Sequence, residues 1–291
     1  MPSRIIVLGM FRSGTSLSTR LVQQWGAYAG PEEDLFGDRY GYLEHLGLQK
    51  LNDDLMEGNE RVPPEAARLA EQAREPQLRR QAIELLESMD RQAKAQGARA
   101  WVWKDPRLPM ALPFWAEIWE DVIYVIPVRN PIETIQSGAN MEGVPAESAP
   151  LSAGFAYWQY NMLKVLEHTQ PSRRKIFIAF DQLIRSPLEQ CARLCRFLDA
   201  QTGEQSHDEV GRLQKLAALV QAGERHYQET RSLAELAQST REQRALYDLL
   251  RVKTLYPDEA YNQDDLALYP GWREYLQAMD MLLSASSSHQ G

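Results

Sequence analysis

The sequence predicts an α/β protein in which helices cover a central parallel β-sheet. Short apolar runs recur through the first two thirds of the chain, and each is followed by a turn and a helical pattern. That alternation is the sequence pattern of parallel sheets whose strands are joined by helices. The run at residues 122–126 is continuously apolar rather than alternating, which is typical of a strand buried on both faces. We therefore expect that strand to lie near the middle of the sheet.

The pattern predicts four core strands and four clear helices. The strands are expected at residues 4–8, 100–103, 122–128 and 175–180. The helices are expected at residues 16–25, 134–140, 152–168 and 187–198. The last helix has a strong predicted start, because Ser186 can cap it, Pro187 suits its first position and Glu189 completes a capping box.

Two segments lie outside this alternation. Residues 60–98 are rich in Glu, Arg, Gln and Ala, which predicts an insert of one or two exposed helices interrupted at Pro76. After residue 203 the chain is charged and helical, and no further strand of comparable quality follows. We predict a core domain over residues 1–203 and a helical extension over residues 204–291.

Composition and charge exclude several classes of function. The 291 residues are 44% hydrophobic and 25% charged, which is ordinary for a globular protein with one sizeable core. The net charge of -8 argues against a binder of nucleic acids or anionic membranes, since those rely on excess Lys and Arg. The apolar run at residues 5–8 is too short for an export signal or a membrane span. Cys191 and Cys195 have no nearby partners for a zinc site, so we expect reduced thiols, no metal and a cytoplasmic location.

The loop after the first predicted strand has the frame of a phosphate-binding loop. Residues 9–16 read GMFRSGTS, with two glycines separated by four residues and hydroxyl residues at the end. Thr15 stands where the lysine of a nucleoside-triphosphate loop would be. Backbone N–H groups of such a loop and the positive end of the following helix bind an anion without that lysine. Arg12 can supply the missing cation from within the loop, so the sequence predicts an anion site here.

A second candidate anion site begins where the strand at residues 122–128 ends. Arg129 leaves the carboxyl end of this strand, and Ser137 follows eight residues later on the next predicted helix. Parallel α/β sheets bind ligands at this edge, so the pair can grip a second phosphate. An Arg at a strand end is more often a surface ion-pair partner. Its combination with the first loop favours the binding role.

Together these motifs resemble those of sulfotransferases that use 3′-phosphoadenosine 5′-phosphosulfate (PAPS). The loop is similar to their 5′-phosphosulfate loop, and Arg129 with Ser137 matches their 3′-phosphate motif in residue type and spacing. Bacterial members share the GMxRSGTS start and have segments similar to GYLE at residues 41–44 and KDPR at residues 104–107. The resemblance spans residues 4–199. It implies a three-layer parallel sheet of the P-loop nucleotide-kinase-like type, with extra C-terminal helices that cover the acceptor site or form an interaction surface.

The resemblance also implies the reaction and most of the site. A sulfuryl group would pass in line from PAPS to a hydroxyl or amine, with release of adenosine 3′,5′-bisphosphate and without a metal. The residues implied to bind PAPS are Arg12, Ser13, Gly14, Thr15 and Ser16 at the 5′-phosphosulfate, and Arg129 and Ser137 at the 3′-phosphate. Arg12 would also stabilise the bridging oxygen. Lys104 resembles a lysine that tyrosylprotein sulfotransferases place beside the transferring group.

The catalytic base is not decided by the resemblance. Many animal members use a His in a Lys-Thr-His segment, but this chain has KDPR there, so no His is carried over. A carboxylate is the better candidate, as in the glycan-modifying and tyrosylprotein branches. Glu33 lies at about the right distance beyond the first helix, and Glu44 ends the GYLE segment. His45 is interpreted as a neighbour of the base, and Asp105 either as a turn residue or as a residue that supports a side chain of the site.

Two other functions stay open. A P-loop kinase or nucleotide hydrolase would use residues 176–181 as its metal-binding strand, but it requires the absent loop lysine and leaves the Arg129–Ser137 pair unexplained. A non-catalytic scaffold would have lost Arg12 or Arg129. The acceptor is open among small molecules, glycans and peptides, as is a homodimer. Aromatic residues at helical spacing, Tyr157, Trp158 and Tyr160, are interpreted as core rather than as an acceptor pocket.

Overall fold

A four-stranded parallel sheet forms the centre of the molecule. The computed structural model describes residues 1–36, 43–56, 66–143, 145, 148–170, 172–203, 208–222, 233–255, 266 and 269–287. Its strands are β1 (Ser3–Val7), β2 (Leu35–Phe36), β3 (Glu44–His45), β4 (Ala100–Lys104), β5 (Ile123–Val128) and β6 (Lys175–Ala179). The parallel sheet has the order β4-β1-β5-β6, and β2 pairs antiparallel with β3. The α/β class and the inner position predicted for the strand now called β5 are confirmed.

Helices surround this sheet along the whole described chain. They are α1 (Thr15–Trp25), α2 (Leu46–Leu55), α3 (Ala66–Gln72), α4 (Pro76–Ala95), α5 (Leu108–Trp115), α6 (Pro131–Met141), α7 (Leu151–Thr169), α8 (Phe180–Arg185), α9 (Pro187–Thr202), α10 (Glu209–Ala222), α11 (Arg241–Leu255) and α12 (Trp272–Ser287). No helix in the described ranges has both the length and the apolar character that a membrane crossing requires.

Both faces of the sheet are buried, which explains the continuous apolar runs. Successive side chains of a strand point to opposite faces. Ile5 and Val7 pack with α1, α9 and α10 on one face, whereas Ile6 and Leu8 pack with α2, α4, α5, α7 and α11 on the other. The protein therefore has three layers, with the sheet between two layers of helices.

One predicted helix starts earlier in the structure, and another begins at Pro187 as predicted but lacks its predicted cap. Helix α6 begins three residues earlier than predicted, because the Asn130 side chain accepts a hydrogen bond from the Ile132 N–H at 2.9 Å and Pro131 occupies the first position. The capping box predicted at Ser186 is wrong. In the described chain its side chain makes no capping hydrogen bond to α9. Its backbone N–H donates a hydrogen bond to the Gln182 carbonyl at 2.8 Å at the end of α8, so Ser186 links α8 to α9.

The predicted insert consists of two helices that meet at Pro76, as expected. Residues 60–65 of the insert lie outside the described residues. The expected exposure is wrong for one face of α4, where Leu86 and Met89 are buried in the core. On the same face Asp90 accepts hydrogen bonds from Arg4 and from the Trp101 indole, each at 2.7 Å. Pairing with an arginine allows the acid to be buried.

Several elements were not predicted from the sequence. Helix α5 contains Pro113 in its interior, which argues against a helix, yet all of its side chains are buried. The short strands β2 and β3 and the helices α2 and α8 were also missed. After residue 203, α10 packs on α1 and α9, α11 packs on β6 and α7, and α12 packs on α7.

Candidate functional site

The two predicted anion motifs meet at the carboxyl edge of the sheet. Strands β1 and β5 are parallel neighbours, so the loop after β1 and the start of α6 emerge side by side. Arg12 Nε donates a hydrogen bond to Ser137 Oγ at 3.0 Å, across 125 positions of sequence. Arg129 Nη1 donates to the carbonyl of Arg12 at 3.0 Å, across 117 positions. The two motifs therefore form one site.

The loop at residues 9–14 folds into a tight cradle. Arg12 has a φ of 65° and Gly14 a φ of 100°, so the backbone turns back at two left-handed positions. The Ser13 hydroxyl donates to the Met10 carbonyl at 2.6 Å, and a Cβ added at Gly9 would lie 2.7 Å from that hydroxyl oxygen. Gly14 then precedes the first turn of α1, which opens with Thr15. Loop amides followed by a helix N-terminus favour a bound anion.

Arg129 is held in one orientation by its surroundings. Its side chain is 8% exposed, and its Nε donates to Glu133 Oε2 at 3.0 Å. Its guanidinium carbon lies 4.7 Å from the centre of the Phe180 ring, which is a favourable distance for a cation–π contact. A guanidinium fixed on two sides is preorganised for a phosphate. Arg129 is therefore not the exposed ion-pair partner that strand-end arginines usually are.

A buried ion pair lies one strand away from the loop. Lys104 ends β4 in register with Val7 of β1. Its Nζ donates to Glu44 Oε1 at 2.6 Å, and the two side chains are 4% and 8% exposed. Burial raises the pKa of the Glu44 carboxyl above its ordinary value, against the opposing effect of Lys104. A buried acid of this kind accepts a proton more readily than an exposed one.

The KDPR turn is anchored by a second buried acid. Asp105 Oδ1 accepts hydrogen bonds from the N–H and the Nε of Arg107, each at 2.8 Å. Asp105 Oδ2 accepts from Asn52, whose own oxygen accepts from the Trp115 indole at 2.8 Å. Arg107 also pairs with Asp53. Asp105 thus has the turn role that was predicted, and the network fixes the neighbouring Lys104.

Comparison with known proteins identifies the family of this chain. Residues 2–204 match a sequence model of the sulfotransferase family. The chain belongs to that family. A search of curated proteins found no match. Two similar solved structures are the sulfotransferase domain of the Synechococcus PCC 7002 olefin synthase and that of the curacin biosynthetic pathway.

Both structural likenesses are distant. The olefin synthase domain is 18% identical, with a TM-score of 0.46 over 99% of this chain and 95% of that domain. The curacin pathway domain is 17% identical, with a TM-score of 0.44 over 99% of this chain and 98% of that domain.

The two candidate bases of this sulfotransferase family member have different environments. Glu44 is buried against Lys104, whereas Glu33 is exposed on a single 3-10 turn, Glu32–Asp34. Gly41 and Tyr42 of the GYLE segment lie outside the described residues. His45 caps α2 by accepting from the Leu48 N–H at 3.4 Å, and burial lowers its pKa. It is a neutral structural neighbour of Glu44.

Sequence reasoning missed two residues of the site. Glu133 was signalled only by its position four residues after Arg129 on the next helix, a spacing at which opposite charges pair. Phe180 belongs to a segment that resembles a family landmark, but it was not predicted to lie in the site, because its contact with Arg129 joins the ends of β5 and β6. Trp158 and Tyr160 are core residues, as predicted, whereas Tyr157 of the same prediction is only half-buried. No group of three or more His, Cys, Asp or Glu side chains within the described ranges could hold a metal ion.

Proposed function

We propose that this protein transfers the sulfuryl group of PAPS to an acceptor hydroxyl or amine. The observation that carries the proposal is the contact between the two anion motifs, in which Arg12 donates to Ser137 and Arg129 donates to the Arg12 carbonyl. PAPS has two separate anionic ends, and a nucleotide with a 3′-phosphate needs two such sites in one crevice. Family membership over residues 2–204 supports the same reaction.

The residues at the sheet edge fit the donor. The loop amides, the N-terminus of α1 and the Arg12 guanidinium provide positive potential for the 5′-phosphosulfate, with Ser13, Gly14, Thr15 and Ser16 as its contacts. The Arg129 guanidinium and the Ser137 hydroxyl can donate hydrogen bonds to the 3′-phosphate. A Cβ at Gly9 or Gly14 would intrude on this cradle, at 2.7 Å from Ser13 Oγ and 2.5 Å from Phe180 Cδ2.

PAPS supplies the sulfuryl group when it is bound. In the transfer, the acceptor oxygen or nitrogen forms a bond to sulfur, the bond from sulfur to the bridging oxygen breaks, and its electron pair stays on the adenosine bisphosphate. Arg12 and Lys104 offset the negative charge that develops on the leaving side. Fixed cations in a buried site need no reorganisation for this task.

We infer that Glu44, rather than Glu33, accepts the proton that the acceptor loses. Glu44 is the buried acid, and burial raises the pKa of its carboxyl. A general base works best when its pKa approaches the working pH. Lys104 holds Glu44 at the sheet edge through the 2.6 Å hydrogen bond. Glu33 is exposed and has no comparable anchor to a cation of the site among the contacts described above.

A contact between the site and the helical extension after residue 203 supports the proposal that this extension covers the acceptor site. Arg251 of α11 donates to Asp181 at 2.8 Å, directly after Phe180 of the site. The same contact disfavours the kinase alternative, because Asp181 would be its magnesium ligand and is engaged by an arginine. A kinase would also need a lysine where Thr15 stands.

Calorimetric titration with adenosine 3′,5′-bisphosphate, adenosine 5′-phosphate and magnesium ATP tests the proposal. The bisphosphate should bind most tightly. Ser137→Ala and Arg129→Gln should each weaken bisphosphate binding by about tenfold or more, since a charge-assisted hydrogen bond contributes about 1.5–3 kcal/mol. Each should weaken binding of adenosine 5′-phosphate less than binding of the bisphosphate, because that ligand lacks the 3′-phosphate and is affected only through the lost contact with Arg12.

Arg185→Ala is the matched control, since the Arg185 side chain is 64% exposed on α8 beyond the site. Its bisphosphate affinity should equal that of the wild type. Preference of the wild type for magnesium ATP would overturn the proposal in favour of a kinase or hydrolase. Binding of none of the three ligands would favour the scaffold.

A further inference from the structure

An apolar cavity of about 290 Å³ opens beside the anion site. Its walls include Phe11 from the loop, Ile135 and Gly138 from α6, and Gly154 and Tyr157 from α7. Phe11 directly precedes Arg12, and Gly138 directly follows Ser137. Because Arg12 and Ser137 are hydrogen-bonded to each other, the cavity adjoins the proposed donor site through both walls.

Two glycines allow the walls of this cavity to pack closely against each other. A Cβ at Gly138 would lie 2.8 Å from Cε2 of the Phe11 ring, so the ring rests directly on the α6 backbone. A Cβ at Gly154 would lie 2.6 Å from Cγ2 of Ile135, so α6 and α7 approach closely there. The Phe11 and Tyr157 rings are 6.1 Å apart and tilted by 45°. Both rings are half-buried and line the cavity with aromatic surface.

The lining selects for an uncharged, apolar ligand. Among the described lining residues, Glu142 alone carries a charge, and it lies exposed at the end of α6. Its carboxylate disfavours a second anion. A sugar would lose hydrogen bonds to water without finding enough polar partners, since Tyr157 and Glu142 supply the polar side-chain atoms of the described lining.

The volume limits the size of the ligand. A cavity of about 150 Å³ holds a benzene molecule, so a cavity of 290 Å³ suits a body of about ten non-hydrogen atoms. Aromatic rings prefer tilted or offset contacts with other rings, which the Phe11 and Tyr157 faces provide.

We propose that this cavity binds the acceptor, and that the acceptor is a compact, uncharged aromatic alcohol. The inference rests on the proposed sulfotransferase function and narrows its acceptor from any hydroxyl or amine to this class. The aromatic body lies between α6, α7 and Phe11, and its hydroxyl points toward the loop that carries Arg12.

Filling the mouth of the cavity tests this assignment without disturbing the core. Ala153 lines the cavity and is exposed on α7, whereas its neighbour Ser152 is exposed and outside the lining. We would titrate 2-naphthol into wild type, Ala153→Trp and Ser152→Trp, each saturated with adenosine 3′,5′-bisphosphate so that no turnover occurs. Ala153→Trp should weaken 2-naphthol binding by about tenfold or more, and Ser152→Trp by less than about twofold.

A charged analogue tests the role of Glu142. Wild type should bind 6-hydroxy-2-naphthoate about tenfold more weakly than 2-naphthol, and Glu142→Gln should narrow that gap. Equal 2-naphthol binding by wild type and Ala153→Trp would overturn the acceptor assignment while leaving the proposed function intact. Weaker bisphosphate binding in Ala153→Trp would also overturn it, because the cavity would then hold part of the donor. Failure of the bisphosphate to bind wild type would instead overturn the proposed function.

Discussion

Replacing Gly14 with alanine probes the cradle at residues 9–14 at its tightest point. Gly14 has a φ of 100°, and an added Cβ would lie 2.5 Å from Cδ2 of Phe180. A side chain in the left-handed region costs about 1–2 kcal/mol. Overlap with a packed ring costs about 1–3 kcal/mol more. We expect Gly14→Ala to lower the free energy of unfolding by about 2–5 kcal/mol.

Gly203→Ala measures the free-energy cost of a side chain at positive φ without any steric overlap. Gly203 also has positive φ, at 69°, but no atom lies within 4 Å of its added Cβ. Its substitution should therefore cost only about 1–2 kcal/mol. Urea unfolding followed by tryptophan fluorescence measures both, and the denaturant dependence should stay the same in both variants.

The double variant Gly14→Ala with Phe180→Leu completes the test. The smaller side chain relieves the overlap but not the backbone strain, so the two substitutions should couple by about 1–3 kcal/mol. The reasoning would be refuted if Gly14→Ala were no more destabilising than Gly203→Ala. Additivity of the two substitutions to within about 0.5 kcal/mol would equally contradict it.

Three further outcomes are expected. Glu44→Gln should lower kcat with 2-naphthol by about 10²–10⁴-fold and Glu33→Gln by less than about twofold, and equal losses in the two variants would contradict the choice of base. The wild-type kcat/KM should fall as the pH drops through the raised pKa of the Glu44 carboxyl. Burial lowers the pKa of His168 from 6.5 to about 4. The unfolded chain therefore binds this proton more tightly, and stability should fall by up to about 3 kcal/mol between about pH 6.5 and about pH 4. Urea titrations should find this loss much smaller in His168→Leu, and an unchanged loss would contradict the assignment. Cys191 and Cys195 are buried, and burial raises their thiol pKa values to about 12 and about 11, so both should resist thiol reagents until the protein unfolds.

Much of the fold was predictable because its signals are local. A strand buried on both faces must be apolar throughout, and β5 shows this in its own residues. The tight loop at residues 9–14 was predictable for the same reason, since the two glycines and the hydroxyl residues of its motif lie within eight positions. Helix α5 was missed because Pro113 argues locally against a helix, while its stability comes from complete burial.

The pattern of residues was enough to predict the parallel α/β class, the four core strands and the two anion motifs. Each of these depends on neighbours in the chain. The proposal of Glu44 rather than Glu33 as the base rests on the tertiary structure, because it depends on the contact of Glu44 with Lys104, which lies 60 positions away. The Phe180 contact with Arg129 and the cavity beside Phe11 likewise form between separate elements. Burial and pairing of side chains arise only when the chain packs, and no local pattern encodes them.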